Sequence, residues 1–500
     1  MRELLLGLDI GSSSVKASLV DAKTGRSLAV AQSPAEEMSM LAPQPGWAEQ
    51  DPDLWWKHLV ISAKSCLQKS SAGADEVKAI GISYQMHGLV VVDKDHKPLR
   101  PSIIWCDSRA VAIGERATNA MGEKYCLEHF LNAPGNFTAS KLKWVQENEP
   151  RIYEKIHKAM LPGDYIAMRL SGDIVTTDTG MSEGIFWDYQ SRSVSDRVLT
   201  HFGFDKSLLP PVVPVFQPQG ALSKQAAGEL GLREGVKISY RAGDQPNNAF
   251  SLKVLKPGET AATAGTSGVI YTVTDKNAFD PLSRVNTFVH VNNTAARPSN
   301  GVLLCINGTG ILNSWLRKNT ASPGAVPPYD QINAEAAKIP IGSEGLVMLP
   351  FGNGAERILQ NRTVNASLHG LDFNRHSQGH LFRAAQEGIV FALNYGFEVL
   401  QSMGLKTSVI RAGHANMFLS PVFREAFVNT IGAPLELYNT DGATGAAIGA
   451  GLGAGIFASS DEAFAGLTAK QLVEPEGNKR ELYKKAYLKW SAHLDQGRSS

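Results

Sequence analysis

Leu4, Leu5, Leu6 and Leu8 form a short apolar run that stops at Asp9. A small turn follows, Gly11-Ser12-Ser13-Ser14, and then Val15, Ala17 and Leu19 alternate with Lys16 and Ser18. Period two on both sides of a polar turn predicts strand, turn, strand, with one carboxylate at the bend. The layout returns at residues 259–273, ETAATAGTSGVIYTV, where the turn is Gly265-Thr266-Ser267-Gly268. Two such units about 250 residues apart predict a duplicated fold with its boundary within residues 244–257.

Between the hairpins the pattern predicts strands over residues 27–32, 77–83 and 88–92, and a helix entered through Asp51 as N-cap with Pro52 at its first position. Residues 137–148 predict a helix with Leu142 and Val145 on one side and charge on the other. Residues 161–165 and 173–184 read as loops and turns bordering short elements. Residues 237–243 predict a strand that delivers Asp244 onto a glycine turn. Beyond the second hairpin come a helix opening at residue 308, a strand over 345–350, a long helix over 381–403, a strand over 408–410 and a helix from Pro421. A helix of small residues follows Asp441, of the kind that packs closely on a sheet, and a charged helix from Glu474 ends the chain.

Composition narrows the class without naming the chemistry. The 500 residues are 43% hydrophobic and 19% charged, with 49 Lys plus Arg against 48 Asp plus Glu. That balance fits a globular protein of two or three domains and supplies no global field for nucleic acid or a membrane surface. No apolar run reaches a membrane span, and five apolar residues before Asp9 are too few for a signal peptide. The four cysteines, Cys66, Cys106, Cys126 and Cys305, lack metal-ligand spacing, which favours reduced thiols and a cytoplasmic setting.

Each turn offers backbone N–H groups and hydroxyls to an anion. Asp9 beside a phosphate would be repulsive without a cation between them, so a phosphate turn here implies Mg²⁺. An ordinary hairpin with a polar turn fits the same residues. Neither turn is a P-loop, since the chain contains no Gly-Lys pair and both turns lead into strands. Polar residues recur just past strand ends, where open sheets place ligands: Gln85-Met86-His87-Gly88, Cys106-Asp107-Ser108-Arg109 and Asp244-Gln245. His87 also fits as a satisfied histidine under a loop, Asp244 as a helix cap, and Lys16 as a solvated strand residue.

With both hairpins in place, the chain resembles the FGGY carbohydrate kinases of the actin/hexokinase/Hsp70-like superfamily, over roughly residues 4–457. FTASKLKWVQEN at 137–148 is similar to the first family signature, with Asn136 where a small or aromatic residue is usual. ASLHGLDFNRHSQGHLFRAAQE at 366–387 is similar to the second, with Gln386 in place of an apolar residue. The resemblance implies an α/β, ribonuclease H-like duplicated fold with a central cleft. An N-terminal domain, 1–248, would carry the sugar side, the first hairpin and the catalytic Asp. A C-terminal domain, 249–500, would carry the nucleotide side and the second hairpin.

The same resemblance implies site roles. Asp9, Gly11, Ser12, Ser13 and Lys16, with Gly265, Thr266 and Ser267, would grip the nucleotide phosphates. Asp9 would hold Mg²⁺ through water, and Gly413 and Asn416 would belong to the adenosine loop. Asp244 falls at the catalytic base. Met86 and His87 resemble the sugar contacts of xylulokinases, joined by Gln245 and by Asp107 at a matching strand end; the Asn-Gln-Arg-Glu run of glycerol kinases is absent. The implied reaction carries the γ-phosphoryl group of ATP to a ketose, D-xylulose to D-xylulose 5-phosphate. Alternatives are a kinase for another ketose, a polyol or an aldonate, and, from another class, a non-catalytic actin- or chaperone-like ATP-binding protein. A homodimer is the state that relatives imply. Three departures stand out: Gln245 where xylulokinases have Asn, one glycine in Ala412-Gly413-His414 where the family has three, and Arg357-Ile358-Leu359 where Arg-Thr-Pro is expected.

Overall fold

A computed structural model of the chain describes residues 2–322 and 324–499. The first hairpin forms as β1 (Leu4–Ile10) and β2 (Val15–Asp21), antiparallel and centred on the predicted turn. With β3 (Ser27–Ser33), β4 (Val77–Tyr84), β5 (Gly220–Ala221) and β6 (Lys237–Gly243) it makes a six-stranded sheet of order β5-β6-β4-β1-β2-β3. The second hairpin, β7 (Glu259–Ala264) and β8 (Gly268–Thr274), joins β9 (Asn286–Val289), β10 (Asn300–Ile306), β11 (Val409–Gly413), β12 (Leu435–Tyr438) and β13 (Ala469–Val473). Its order is β9-β10-β8-β7-β11-β12-β13.

Placed side by side, β3-β2-β1-β4-β6-β5 and β10-β8-β7-β11-β12-β13 are the same sheet. Each has an antiparallel hairpin, two parallel strands beside it and an antiparallel edge. The strand β9 is an added edge on the second. The duplication inferred from two turns therefore holds strand by strand. The leucines of β1 are fully buried because this strand is central and covered on both faces, which is why it reads as an apolar run rather than a clean alternation.

Around the sheets lie helices α1 (Pro52–Ser70), α2 (Thr138–Asn148), α3 (Asp178–Glu183), α4 (Asp244–Ser251), α5 (Gly310–Asn319), α6 (Gln378–Ser402) and α7 (Gly442–Gly453). Asp51 caps α1 by accepting from the N–H of Asp53, with Pro52 at the first position as expected. The two lobes are stitched by an exchange of helices. α4 leaves the first sheet and packs on β7 and β8, while α7 leaves the second sheet and packs on β1, β4 and β6; α4 and α7 also touch each other. The small residues of α7 permit this. A Cβ at Gly81 of β4 would stand 1.9 Å from the carbonyl oxygen of Ala446, so helix backbone rests directly on sheet backbone.

Three local expectations are corrected. Lys141 of α2 lies on the buried side, fully enclosed, because its ammonium has carbonyl partners there. Residues 162 onward are helical, Pro162–Ser171, with Pro162 in the first turn where its missing N–H is harmless. The strand expected over 408–410 continues to Gly413, since β11 pairs in parallel with β7 on one side and β12 on the other. Among the described residues no helix is long and apolar enough to cross a membrane.

Candidate functional site

Three neighbouring parallel strands end together and build the centre of the site. In register, Asp9 of β1 lies beside Ser83 of β4, and Tyr84 of β4 beside Gly243 of β6. Asp9, the residues after Tyr84, and Asp244 therefore emerge side by side at one sheet edge. Asp9 Oδ1 accepts a 2.8 Å hydrogen bond from Ser83 Oγ. Its other oxygen abuts the start of α7, where a Cβ on Gly442 would stand 2.5 Å away. Asp244 is the first residue of α4, with Gly243 as the N-cap, so it does not cap the helix.

Asp9 and Asp244 are both part-exposed, yet burial raises both carboxyls above the usual range. Asp244 is pushed up to about 7, by burial first and by the charge of Asp9 second, with Gln245 opposing the shift. At Asp9 burial outweighs the Ser83 hydrogen bond and the nearby Lys16, and Asp441 at the α7 N-cap adds repulsion. Lys16 is the cross-strand partner of Asp9, and its charge is felt there. Among the described residues no three His, Cys, Asp or Glu side chains form a metal cage.

The first turn is closed by the N–H of Gly11 on the carbonyl of Ser14 at 3.0 Å. Gln50 and Met38 tie down the carbonyls of Ser12 and Ser13, and the half-exposed Trp105 indole reaches Ser12 Oγ at 3.4 Å. The second turn is held by the start of α5, whose Gly310 and Ile311 N–H groups donate to the carbonyls of Gly265 and Thr266 at 2.9 and 3.2 Å. A turn whose carbonyls are held by the scaffold can offer its remaining N–H groups to an anion. Gly265 and Thr266 also line a cavity of about 450 Å³, together with Asn313, Tyr329, Asn333 and Asn416. Asn416 adopts a left-handed backbone, φ 54°, and its amide lies over Gly265. Gly413 ends β11 outside this lining. Asn313, Tyr329 and Asn333 were not legible in the sequence; they share no motif and meet only because two helices converge.

His87 sits past the end of β4 in the left-handed region, φ 61°. Its Nδ1 lies 3.0 Å from the carbonyl of Glu183, and its own N–H donates to Glu183 Oε2 at 3.3 Å. Phe137 and Phe288 pack around the ring at 4.8 and 5.2 Å. Burial and then the charge of Lys141 lower its pKa to about 3, so the imidazole is neutral. A neutral ring that donates from Nδ1 to a carbonyl presents a bare Nε2, which is an acceptor for a hydroxyl. Glu183 itself is buried on α3, accepts from Tyr84 Oη at 2.5 Å, and is held well above the carboxylate range by burial.

The remaining candidates divide. Met86 is buried and packs beneath Gly243, so it shapes the floor under Asp244. Gln245 stays partly open beside Asp244. Asp107 does not join the group. Its carboxylate is fully buried and accepts from Ala48 N–H at 2.6 Å and from the Arg109 guanidinium at 2.7 Å, which leaves it anchoring a loop. Lys141 and Glu183 went unrecognised. Lys141 Nζ donates to the carbonyls of His87 (2.8 Å) and Ile104 (3.0 Å), and burial lowers its pKa to about 7. The signal was available in the first signature's lysine, but on a helix surface a lysine reads as solvated.

Residues 4–251 match the N-terminal domain of the FGGY family of carbohydrate kinases, and residues 260–456 match the C-terminal domain of that family. The chain is 29% identical to a xylulose kinase of Escherichia coli over 469 residues, 93% of this chain and 92% of that one. It is 27% identical to a xylulose kinase of Haemophilus influenzae over 512 aligned residues, 99% and 100%. Among solved structures it is similar to xylulose kinase from Rhodospirillum rubrum, with TM-score 0.86, 26% identity and 99% of both chains covered. Its fold is shared with gluconate kinase from Lactobacillus acidophilus, at TM-score 0.89 and 22% identity over 100% of this chain and 99% of that one. It is also shared with Plasmodium falciparum glycerol kinase with ADP, at 0.86 and 21% over 99% and 98%.

Proposed function

The chain belongs to the FGGY family of carbohydrate kinases, phosphotransferases with an alcohol acceptor, and we propose that it transfers the γ-phosphoryl group of ATP to a hydroxyl of D-xylulose, giving D-xylulose 5-phosphate. The observation that carries this reading is the placement of His87 and Asp244 at adjacent strand ends, with Asp9 on the next strand. The sugar lies against the N-terminal domain, taken as residues 1–248, and its hydroxyls meet the bare Nε2 of His87 and the amide of Gln245. The nucleotide lies against the C-terminal domain, residues 249–500, with its adenosine in the cavity beside Asn416 and its phosphates between the two turns. The similar xylulose kinases of Escherichia coli and Haemophilus influenzae favour a ketose, and the fold shared with gluconate and glycerol kinases makes an aldonate or a polyol the alternative acceptor.

A sugar hydroxyl must lose its proton as it attacks phosphorus. Asp244, poised near 7 by burial and by Asp9, accepts that proton, help that is typically worth about 10²–10⁴-fold. The other contributions are alignment by the two lobes and neutralisation of phosphoryl charge by turn amides and Lys16. Mg²⁺ fits the residues present. The charge of Asp9 raises Asp244 and that of Asp441 raises Asp9, so this strand edge is a site of excess negative charge, and Mg²⁺ characteristically uses one or two carboxylates, waters and substrate phosphates rather than a protein cage. Asp9 would hold it, through water, and its chemistry would be charge neutralisation on the phosphates.

The test is kcat/KM for D-xylulose, D-ribulose, glycerol and D-gluconate, read as sugar-dependent ADP release. D-xylulose is expected to lead by at least tenfold. Preference for gluconate or glycerol would reassign the acceptor, and no sugar-dependent release from any of them would remove the kinase chemistry itself.

A further inference from the structure

Glu356 and Arg357 stand at the start of a short turn of 3-10 helix, Arg357–Leu359, packed beside β10. Glu356 is buried, and its carboxylate accepts the N–H groups of Asn307 (3.0 Å to each oxygen) and Gly308 (3.3 Å). These residues lie just ahead of Gly310, whose N–H holds the second turn. Glu356 thus braces the second turn, and its carboxylate is directed at Asn307 and Gly308 and forms no ion pair with Arg357 among the described residues. The Arg357 guanidinium makes one long hydrogen bond, 3.4 Å to the carbonyl of Ser283, and no carboxylate lies within 4 Å of it among the described residues.

Three guanidinium groups whose side chains are 5% exposed or less are paired with acids. Arg241 meets Asp164 at 3.1 Å, Arg109 meets Asp107 at 2.7 Å, and Arg383 meets Glu387 at 2.8 Å. Arg357 is part-buried, and burial pulls it below the usual arginine range, so an anion beside it would be favourable. Its surroundings locate the anion it lacks. Ser283 leads into β9, whose Phe288 packs against His87 at 5.2 Å. On the other side Cys305 of β10 lies near Ser267 of the second turn and donates from Sγ to Asn307 Oδ1 at 3.8 Å. The charge of Arg357 is felt at both His87 and Cys305. It therefore stands between the sugar side and the phosphate side of the cleft.

We infer that Arg357 receives the phosphoryl group in transit and then the phosphate of the product. The inference rests on the kinase reading. In the step, the sugar hydroxyl oxygen forms the new O–P bond while the bond from phosphorus to the bridging oxygen breaks. ADP leaves with that electron pair, and the hydroxyl proton goes to Asp244. The planar fork of Arg357 meets the charge on the peripheral phosphoryl oxygens throughout, as guanidinium groups do for phosphate. A role in phosphoryl transfer explains why this arginine has no acidic partner among the described residues: an acid beside it would compete with the phosphate.

The test compares the wild-type chain with Arg357→Met and Arg357→Lys, each checked by its melting curve. For Arg357→Met, kcat is expected to fall about 10²–10³-fold, the scale of losing one preorganised charge donor. The Kd of D-xylulose measured without nucleotide should stay within threefold, whereas calorimetric binding of D-xylulose 5-phosphate should weaken at least tenfold. Arg357→Lys should keep more product binding than Arg357→Met. An unchanged kcat in Arg357→Met overturns the inference, and so does a loss confined to KM for gluconate, which would make Arg357 a carboxylate receptor. A wild-type chain that transfers phosphate to no ketose, polyol or aldonate would instead sink the kinase reading, so the two failures are distinguishable.

Discussion

At the scale of single residues, the chemistry is set by burial acting on a few charged groups. Asp244 is raised to about 7 in the folded chain against about 4 in an unfolded one. A base must be ionised, so kcat/KM for the sugar is expected to rise with pH through an acid limb near 7. A limb near 4 would contradict the assignment. The same shift has a sign in stability: the folded chain holds this proton more tightly, so the ionised carboxylate is unfavourable above pH 7 and the penalty vanishes below about 4. Asp244→Asn should therefore melt higher than wild type at pH 8, with the difference gone near pH 4. His87 offers a second check. On the proposed reading its bare Nε2 accepts a sugar hydroxyl, so His87→Ala should raise the KM or Kd for D-xylulose about tenfold while leaving ATP binding within threefold, as calorimetry can show.

At the scale of elements, the hairpins, the strand that delivers Asp244 and the small-residue helix were all legible, because each rests on local pattern: period two, a polar turn, an apolar run ending on an acid. What was not legible rests on enclosure. Lys141 and Glu183 look like ordinary charged helix residues until α2 and α3 fold over His87, and Asp107 looks available until Arg109 and Ala48 close on it. The cavity beside Asn416 is likewise an outcome of helices converging from distant positions. The small residues of α7 gave a sharper result, since they permit backbone contact with β1 and β4. Gly81→Ala, whose Cβ would fall 1.9 Å from Ala446 O, is expected to destabilise the fold by about 2–3 kcal/mol, the range of overpacking. Denaturant titration would show it, and a midpoint equal to wild type would argue that α7 moves freely on the sheet.

At the scale of the whole molecule, two equivalent sheets face each other and exchange helices, α4 to one side and α7 to the other. A second seam runs along β9, where Asn132 accepts from Asn286 and Thr287 at 2.9 and 3.1 Å and Ser182 Oγ accepts from Val289 N–H at 3.0 Å. On the proposed reading the sugar and nucleotide sides belong to different lobes, so each ligand favours the arrangement that completes the other's site. A non-transferable ATP analogue should bind at least fivefold tighter with D-xylulose present, and the sugar should gain the same factor from the analogue, since such coupling is reciprocal. Independent binding would contradict a shared cleft. The central claim is that Asp244 takes the proton from a sugar hydroxyl aimed at a phosphate held between the two turns. Its most direct test is D-xylulose-dependent ADP release by Asp244→Asn beside wild type at pH 8. The account predicts a loss of at least about 10³-fold with the Kd for ATP changed less than threefold; wild-type turnover in that variant would contradict it.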